Sequence, residues 1–221
     1  SGTLNPIAEL GRLKQHHKVP LLYVDAVASV GGTPVLSDEW NIDLCLGGSQ
    51  KCLSSLPDMA FLSISESAWD IIHNVDYAGY DALKPFYKAQ ATHYFPYTPN
   101  WQGISGLNAG AELILNEGLP NSIARHEMVA EFCRDKIIDV GLTLFPASDA
   151  VSSPTVTAVN IPDGVDWPEF NIKLRQQGLV VAGSYGPMAG KVFRLGHMGT
   201  QADMELVKQA LNVIESVMEK I

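Results

Sequence analysis

The chain has 221 residues, 46% hydrophobic and 18% charged, with a formal net charge of −9. That composition belongs to an ordinary folded protein with room for one large domain or two small ones. An acidic chain without a basic run is a poor candidate for binding nucleic acid or an anionic membrane by charge, and no apolar run reaches the roughly 18 residues of a membrane-spanning helix.

Ile7, Leu10 and Leu13 recur at helical spacing among polar residues, and the helix they predict ends before Pro20. Three apolar runs follow: Leu21–Val24, ending in Asp25; Ile42–Leu46, ending in Gly47-Gly48; and Met59–Ile64. Continuous apolar runs after a helix read as buried parallel strands, so an α/β sheet covered by helices is expected. A helix is predicted from Ser65 to His73. Asn74 to Pro99 reads as a long connection with a short helix around Asp81–Lys88.

Ile104–Leu115 is an amphipathic helix, broken at Asn116-Glu117-Gly118, and Asn121–Val140 is another helix, stopped by Gly141. Beyond Gly141 the pattern changes. Leu142–Phe145, Thr155–Ile161, Leu179–Ala182 and Val192–Leu195 are strand candidates, with helices near Trp167–Gln176 and Gln201–Val217. One sheet with helices on a face is an α+β layout. The expected division is therefore residues 1–118 and residues 119–221.

Cys45, Cys52 and Cys133 are odd in number and widely spaced. That argues against a disulfide framework or a zinc set. Buried thiols in a reducing, cytoplasmic setting are expected. No signal peptide is visible at the start. The opening Ser1-Gly2-Thr3 lacks a Met, so a processed, trimmed or partial chain is expected. Met218-Glu219-Lys220-Ile221 is not the common peroxisomal ending.

Three segments carry chemistry. Lys51 follows a predicted strand and two glycines that let the backbone approach something closely. Most loop lysines are simply solvated, but a desolvated one becomes a nucleophile able to form a Schiff base. Asp25 ends the strand Leu21–Val24, at the edge where open α/β sheets bind ligands. A buried carboxylate there needs a cationic partner, unless it merely caps a helix starting at Ala26. Arg194 interrupts an apolar strand just before Gly196. Its planar fork calls for a carboxylate, from a substrate or from a structural salt bridge. Of the histidines, His16-His17 point in different directions on a helix. His197 could either face a substrate or close the last strand.

Tyr23-Val24-Asp25-Ala26-Val27-Ala28-Ser29-Val30-Gly31-Gly32 resembles the cofactor strand of class V aminotransferases. Gly48-Ser49-Gln50-Lys51, 26 positions beyond Asp25, resembles their lysine motif. Ser153–Val159 and Phe193–Gly199 resemble the family's C-terminal domain. The resemblance implies the C-terminal part of a fold type I large domain, without its N-terminal part, plus a small α+β domain. It implies pyridoxal 5'-phosphate, with Lys51 as its anchor and general acid/base. Asp25 would pair with the pyridinium nitrogen, Val27 pack on the ring, and Gln50 lie near the phosphate or ring oxygen. Arg194 would clamp the substrate α-carboxylate. Thr98, in Tyr97-Thr98-Pro99, would reach the neighbouring subunit's phosphate, so a homodimer is implied.

The implied activity is amino transfer between alanine or serine and glyoxylate or pyruvate. Pyridoxamine–pyruvate aminotransferases are a close alternative, but they carry an arginine nine residues before the carboxylate arginine, where this chain has Tyr185. Desulfurases and related lyases of the same fold usually carry His where this chain has Gln50, and a later loop cysteine. A third reading is a non-catalytic fragment stable only with its missing half or as a dimer. Two positions depart from the family's habit: Asp58 follows Pro57 where Gly is frequent, and Phe95 stands where Tyr often precedes the Thr by three.

Overall fold

The structure, a computed structural model, describes residues 1–75 and 77–220. Asp76, in the predicted connection, and Ile221, the last residue of the ending read above, lie outside the described residues.

Helix α1 (Ile7–His17) is stopped by Lys18 in the left-handed conformation at φ 54, two residues before Pro20. Its Glu9 near the start and its Lys14, His16 and His17 near the end suit the helix dipole. Strands β1 (Tyr23–Asp25), β2 (Leu44–Gly48) and β3 (Ala60–Ile64) form one sheet in that order. β1 and β2 are parallel, in line with the sequence. β3 is antiparallel to β2, which corrects the expectation of a third parallel strand. The 49–59 loop folds straight back, whereas a parallel return needs a crossover, usually through a helix.

Asp43, just before β2, fastens this part together. Its Oδ2 lies 2.5 Å from Lys14 Nζ and accepts the Leu22 N–H at 2.6 Å. The Ser65 and Ser67 hydroxyls donate to Oδ1 at 3.2 and 3.1 Å. A buried carboxylate is tolerable only with such partners.

Helix α2 (Glu66–Asn74) is capped by Ser65, whose hydroxyl accepts the Ala68 N–H at 3.1 Å. The connection after it holds a 3-10 turn (Lys84–Phe86) and a short helix α3 (Ala89–Thr92), later than the helix expected around Asp81–Lys88. Helices α4 (Trp101–Glu117) and α5 (Leu119–Asp139) meet at Gly118, whose φ of 88 suits glycine.

The second sheet contains β4 (Val156–Asn160), β5 (Ala182–Gly183) and β6 (Val192–Gly196), antiparallel and ordered β4-β6-β5. Leu142–Phe145, expected as a strand, contributes only a single bridge from Leu144 to Val159. The chain bends at Phe145 and Pro146, and the pairing goes no further. Helices α6 (Trp167–Gln176) and α7 (Met204–Met218) are capped by Asp166 and Asp203; such caps contribute about 1 kcal/mol each. With α5 they enclose a core that includes Ile137, Phe170, Leu174, Phe193, Leu211 and Ile214.

Candidate active site

Parallel pairing of Asp25 with Leu46 brings the ends of β1 and β2 side by side. The Ala26 N–H donates to the Leu46 carbonyl at 2.9 Å and continues the register one residue further. Asp25 therefore leaves the sheet on the same edge as the 49–53 turn that carries Lys51. Asp25 is exposed rather than buried, because β1 is the outer strand of its sheet. Its Oδ1 accepts the Val27 N–H at 3.0 Å, capping a turn rather than a helix.

The two glycines before Lys51 accommodate the protein's own side chains. A Cβ on Gly47 would lie 2.1 Å from the Phe61 ring. One on Gly48 would lie 2.8 Å from Gln50 Oε1 and 3.1 Å from Val27 Cγ1. Ser49 closes the loop behind them. Its hydroxyl donates to the Leu56 carbonyl and accepts the Met59 N–H. Cys52 donates to the Ala28 carbonyl, and Ser54 Oγ accepts the Thr200 N–H at 2.8 Å. The Lys51 turn is thus tied to the turn after β1 and to the loop after β6. Of these anchors, only Ser49 lies in a motif that stood out in the sequence.

All three cysteines are buried and free. Burial pushes the Cys52 thiol up to about 11, which makes it a packing residue rather than a nucleophile.

Arg194 sits in the middle of β6, opposite Ala158 and Ala182. Its Nη2 donates to the Gly183 carbonyl at 2.9 Å, and its Cζ lies 5.8 Å from the Tyr185 ring centroid. Its Nε is buried without a partner, and no carboxylate pairs with it among the described residues. The structural salt bridge weighed for Arg194 is therefore absent among them.

Asp25, Lys51 and Arg194 line one cavity of about 890 Å³, together with Ser29, Thr33 and Met198. Val27, Gln50 and Thr98 are not among its lining residues. Val27 and Gln50 flank Gly48 beside it, and Thr98 is exposed just before α4. His197 is fully buried away from the cavity. Its Nε2 meets Thr157 Oγ1 at 2.9 Å, so it is part of the strand packing.

The family model for aminotransferase class-V matches residues 1–198. The chain belongs to the class-V aminotransferase family. It is 37% identical over 213 residues to an uncharacterised aminotransferase of Methanocaldococcus jannaschii, covering 94% of this chain and 54% of that protein. It is 34% identical to an alanine–glyoxylate aminotransferase of Callithrix jacchus, covering 96% of this chain and 53% of that protein. The crystal structure of a pyridoxamine–pyruvate aminotransferase from Mesorhizobium loti superposes with a TM-score of 0.95 at 34% identity. That match covers 100% of this chain and 57% of the other. The chain spans little more than half the length of these relatives.

The two departures from the class-V habit both have structural roles here. Asp58 Oδ2 accepts from Asn100 Nδ2 at 3.3 Å, and Asn100 caps α4 through the Gly103 N–H. Phe95 packs edge-on against Phe86 at 5.5 Å.

Proposed function

We propose that this chain carries the amine-bearing and carboxylate-binding part of a pyridoxal-phosphate-dependent aminotransferase. The enzyme moves an amino group between a small amino acid, alanine or serine, and a 2-oxo acid such as glyoxylate or pyruvate. The observation that carries the proposal is the cavity shared by Lys51, Asp25 and Arg194. Its volume suits a small cofactor and substrate. An amine, a carboxylate and a guanidinium with an unpartnered buried nitrogen form a donor set that fits pyridoxal phosphate and an amino acid.

When bound, pyridoxal phosphate supplies an aldehyde to carry the amino group and a cationic ring to accept the electrons released at the substrate's Cα. Lys51 Nζ would hold the aldehyde carbon until the substrate amine displaces it, and the amine so freed would take the Cα proton and return it on the other side of the transfer. Asp25 holds the ring nitrogen protonated. Val27 supports a ring face, and Gln50 lies near the phosphate or ring oxygen. Arg194 seats the substrate carboxylate with its free guanidinium edge. Thr98 reaches the phosphate held by a second copy, so the active form is a homodimer. Residues 1–118 belong to the cofactor domain and residues 119–221 form the small domain. Three free, buried thiols suit the reducing cytoplasm.

The test is the absorbance of the protein with pyridoxal phosphate. A band at roughly 400–430 nm that Lys51→Ala removes is expected. Alanine or serine should bleach it, and glyoxylate or pyruvate restore it. A full-length protein that stays colourless overturns the reading.

A second reading, transfer between free pyridoxamine and pyruvate, draws on the likeness to the Mesorhizobium loti enzyme. Tyr185 opposes it, because its ring lies beside Arg194 where that reading expects a second arginine. Release of pyridoxal from pyridoxamine and pyruvate would favour it.

A further inference from the structure

Helix α5 carries Arg125 and His126, which have no part in the roles above. His126 is fully buried. Its Nδ1 lies 2.7 Å from the Ser122 carbonyl, and its Nε2 lies 2.8 Å from the Gly199 N–H. A carbonyl oxygen only accepts and an amide N–H only donates. Nδ1 therefore carries the proton, Nε2 offers its lone pair, and the ring is neutral. Burial, which holds this imidazole below its ordinary pKa, favours the same form.

The same helix face grips two more segments. Ser122 Oγ donates to the Gly31 carbonyl at 2.7 Å, in the turn after β1. Arg125 Nη1 donates to the Gly199 and Ala202 carbonyls at 2.7 and 2.8 Å. Gly199 is thus held at both its N–H and its carbonyl. On its other side it presses on the Lys51 turn. A Cβ there would lie 2.0 Å from Ser54 Oγ and 2.5 Å from the Cys52 carbonyl, and φ is 58. Gly199 also directly follows Met198, which lines the cavity. At Gly199 the segment after β6 is thus held between α5 and the lysine turn.

We infer that His126 is a positioning residue: by accepting the Gly199 N–H it sets where the Arg194 strand meets the Lys51 turn, and so how a substrate carboxylate is seated relative to the reacting amine. The inference rests on the roles proposed above for Lys51 and Arg194.

Two near-isosteric variants of the intact protein separate the two bonds of the ring. In His126→Asn the amide reaches only as far as Nδ1 and loses Gly199. In His126→Gln the side-chain oxygen reaches the place of Nε2 and keeps it. Hydrogen exchange at the Gly199 amide needs no cofactor. It should be about tenfold faster in His126→Asn and close to the parent in His126→Gln. Pyruvate binding, measured by calorimetry on the pyridoxal-phosphate-loaded protein, should weaken about tenfold in His126→Asn, with the absorbance band intact. His126→Gln should restore the pyruvate affinity. Parental affinity in His126→Asn, or equal losses in both variants, overturns the inference. A parent that captures no cofactor overturns the aminotransferase reading instead. The exchange rates, and pyruvate binding to the unloaded protein, then still decide whether the Gly199 bond governs the Arg194 site.

Discussion

Arg125 closes a two-pronged ion pair on Glu117 across the Gly118 joint, with Nε–Oε1 at 2.6 Å and Nη2–Oε2 at 2.8 Å. The planar guanidinium alone can do this while its third nitrogen reaches the carbonyls of Gly199 and Ala202. One side chain therefore fixes the angle between α4 and α5 and the loop that follows β6. The guanidinium also holds Glu117 below the usual carboxylate range.

Arg125→Lys keeps the charge and loses the fork. The pair is about one-third exposed, which moderates its worth. We expect a loss of about 1–2 kcal/mol, read as a thermal midpoint lower by several degrees. Glu117→Gln, which keeps the shape and one acceptor, should lose less. Equal midpoints for Arg125→Lys and the parent would show that the joint holds without the clamp.

Asp25 is predicted to act on rate rather than on cofactor capture. Asp25→Asn preserves the side-chain shape and the Val27 N–H acceptor but removes the charge proposed above to keep a ring nitrogen protonated. A charge-assisted bond is worth about 1.5–3 kcal/mol, so kcat should fall about ten- to a hundredfold with the absorbance band retained. Stopped-flow bleaching of that band by alanine measures it, and an unchanged rate would remove Asp25 from the site.

Gly110 and Gly106 lie on the same side of α4 and should respond in opposite ways to alanine. A Cβ at Gly110 would stand 2.3 Å from the Leu53 carbonyl, backbone of the Lys51 turn, whereas at Gly106 it would meet only the hydroxyl of Ser55. Gly110→Ala should cost about 1–3 kcal/mol and weaken pyridoxal phosphate capture, because the turn has to move. Gly106→Ala should be neutral or slightly stabilising through helix propensity. Urea unfolding together with cofactor titration separates the two, and a neutral Gly110→Ala would contradict the contact.

His197 predicts an acid-sensitive stability. Burial first, with the nearby Arg134 charge, lowers its pKa from 6.5 to about 4. The unfolded chain then takes up a proton that the folded chain refuses. The stabilisation is complete above about pH 6.5 and is lost as pH falls from there towards the folded value, up to about 3 kcal/mol in all. His197→Gln should flatten the slope of urea midpoint against pH between about 6.5 and 4. Glu117 adds a second loss at lower pH. Its depressed pKa stabilises the fold above the ordinary carboxylate value and ceases to as pH falls through the folded one.

Much of this architecture could be read along the chain. Helical periodicity placed α1, α5, α6 and α7 to within a few residues, because a helix is made by neighbours in sequence. The glycine stops at 118 and 141 are likewise local, both having positive φ. The spacing of Asp25 and Lys51 with Arg194 downstream carried the family resemblance. Features beyond a segment's own periodicity decided the rest. β3 runs antiparallel because the 49–59 loop, closed by the Ser49 hydroxyl, folds straight back without a crossover. Leu142–Phe145 contributes one bridge because the chain bends away at Phe145 and Pro146. Arg194 donates to a carbonyl rather than a carboxylate among the described residues. His126 holds an amide 73 positions away. Such pairings depend on which buried groups meet across the fold, and periodicity along one segment carries no information about a partner on another.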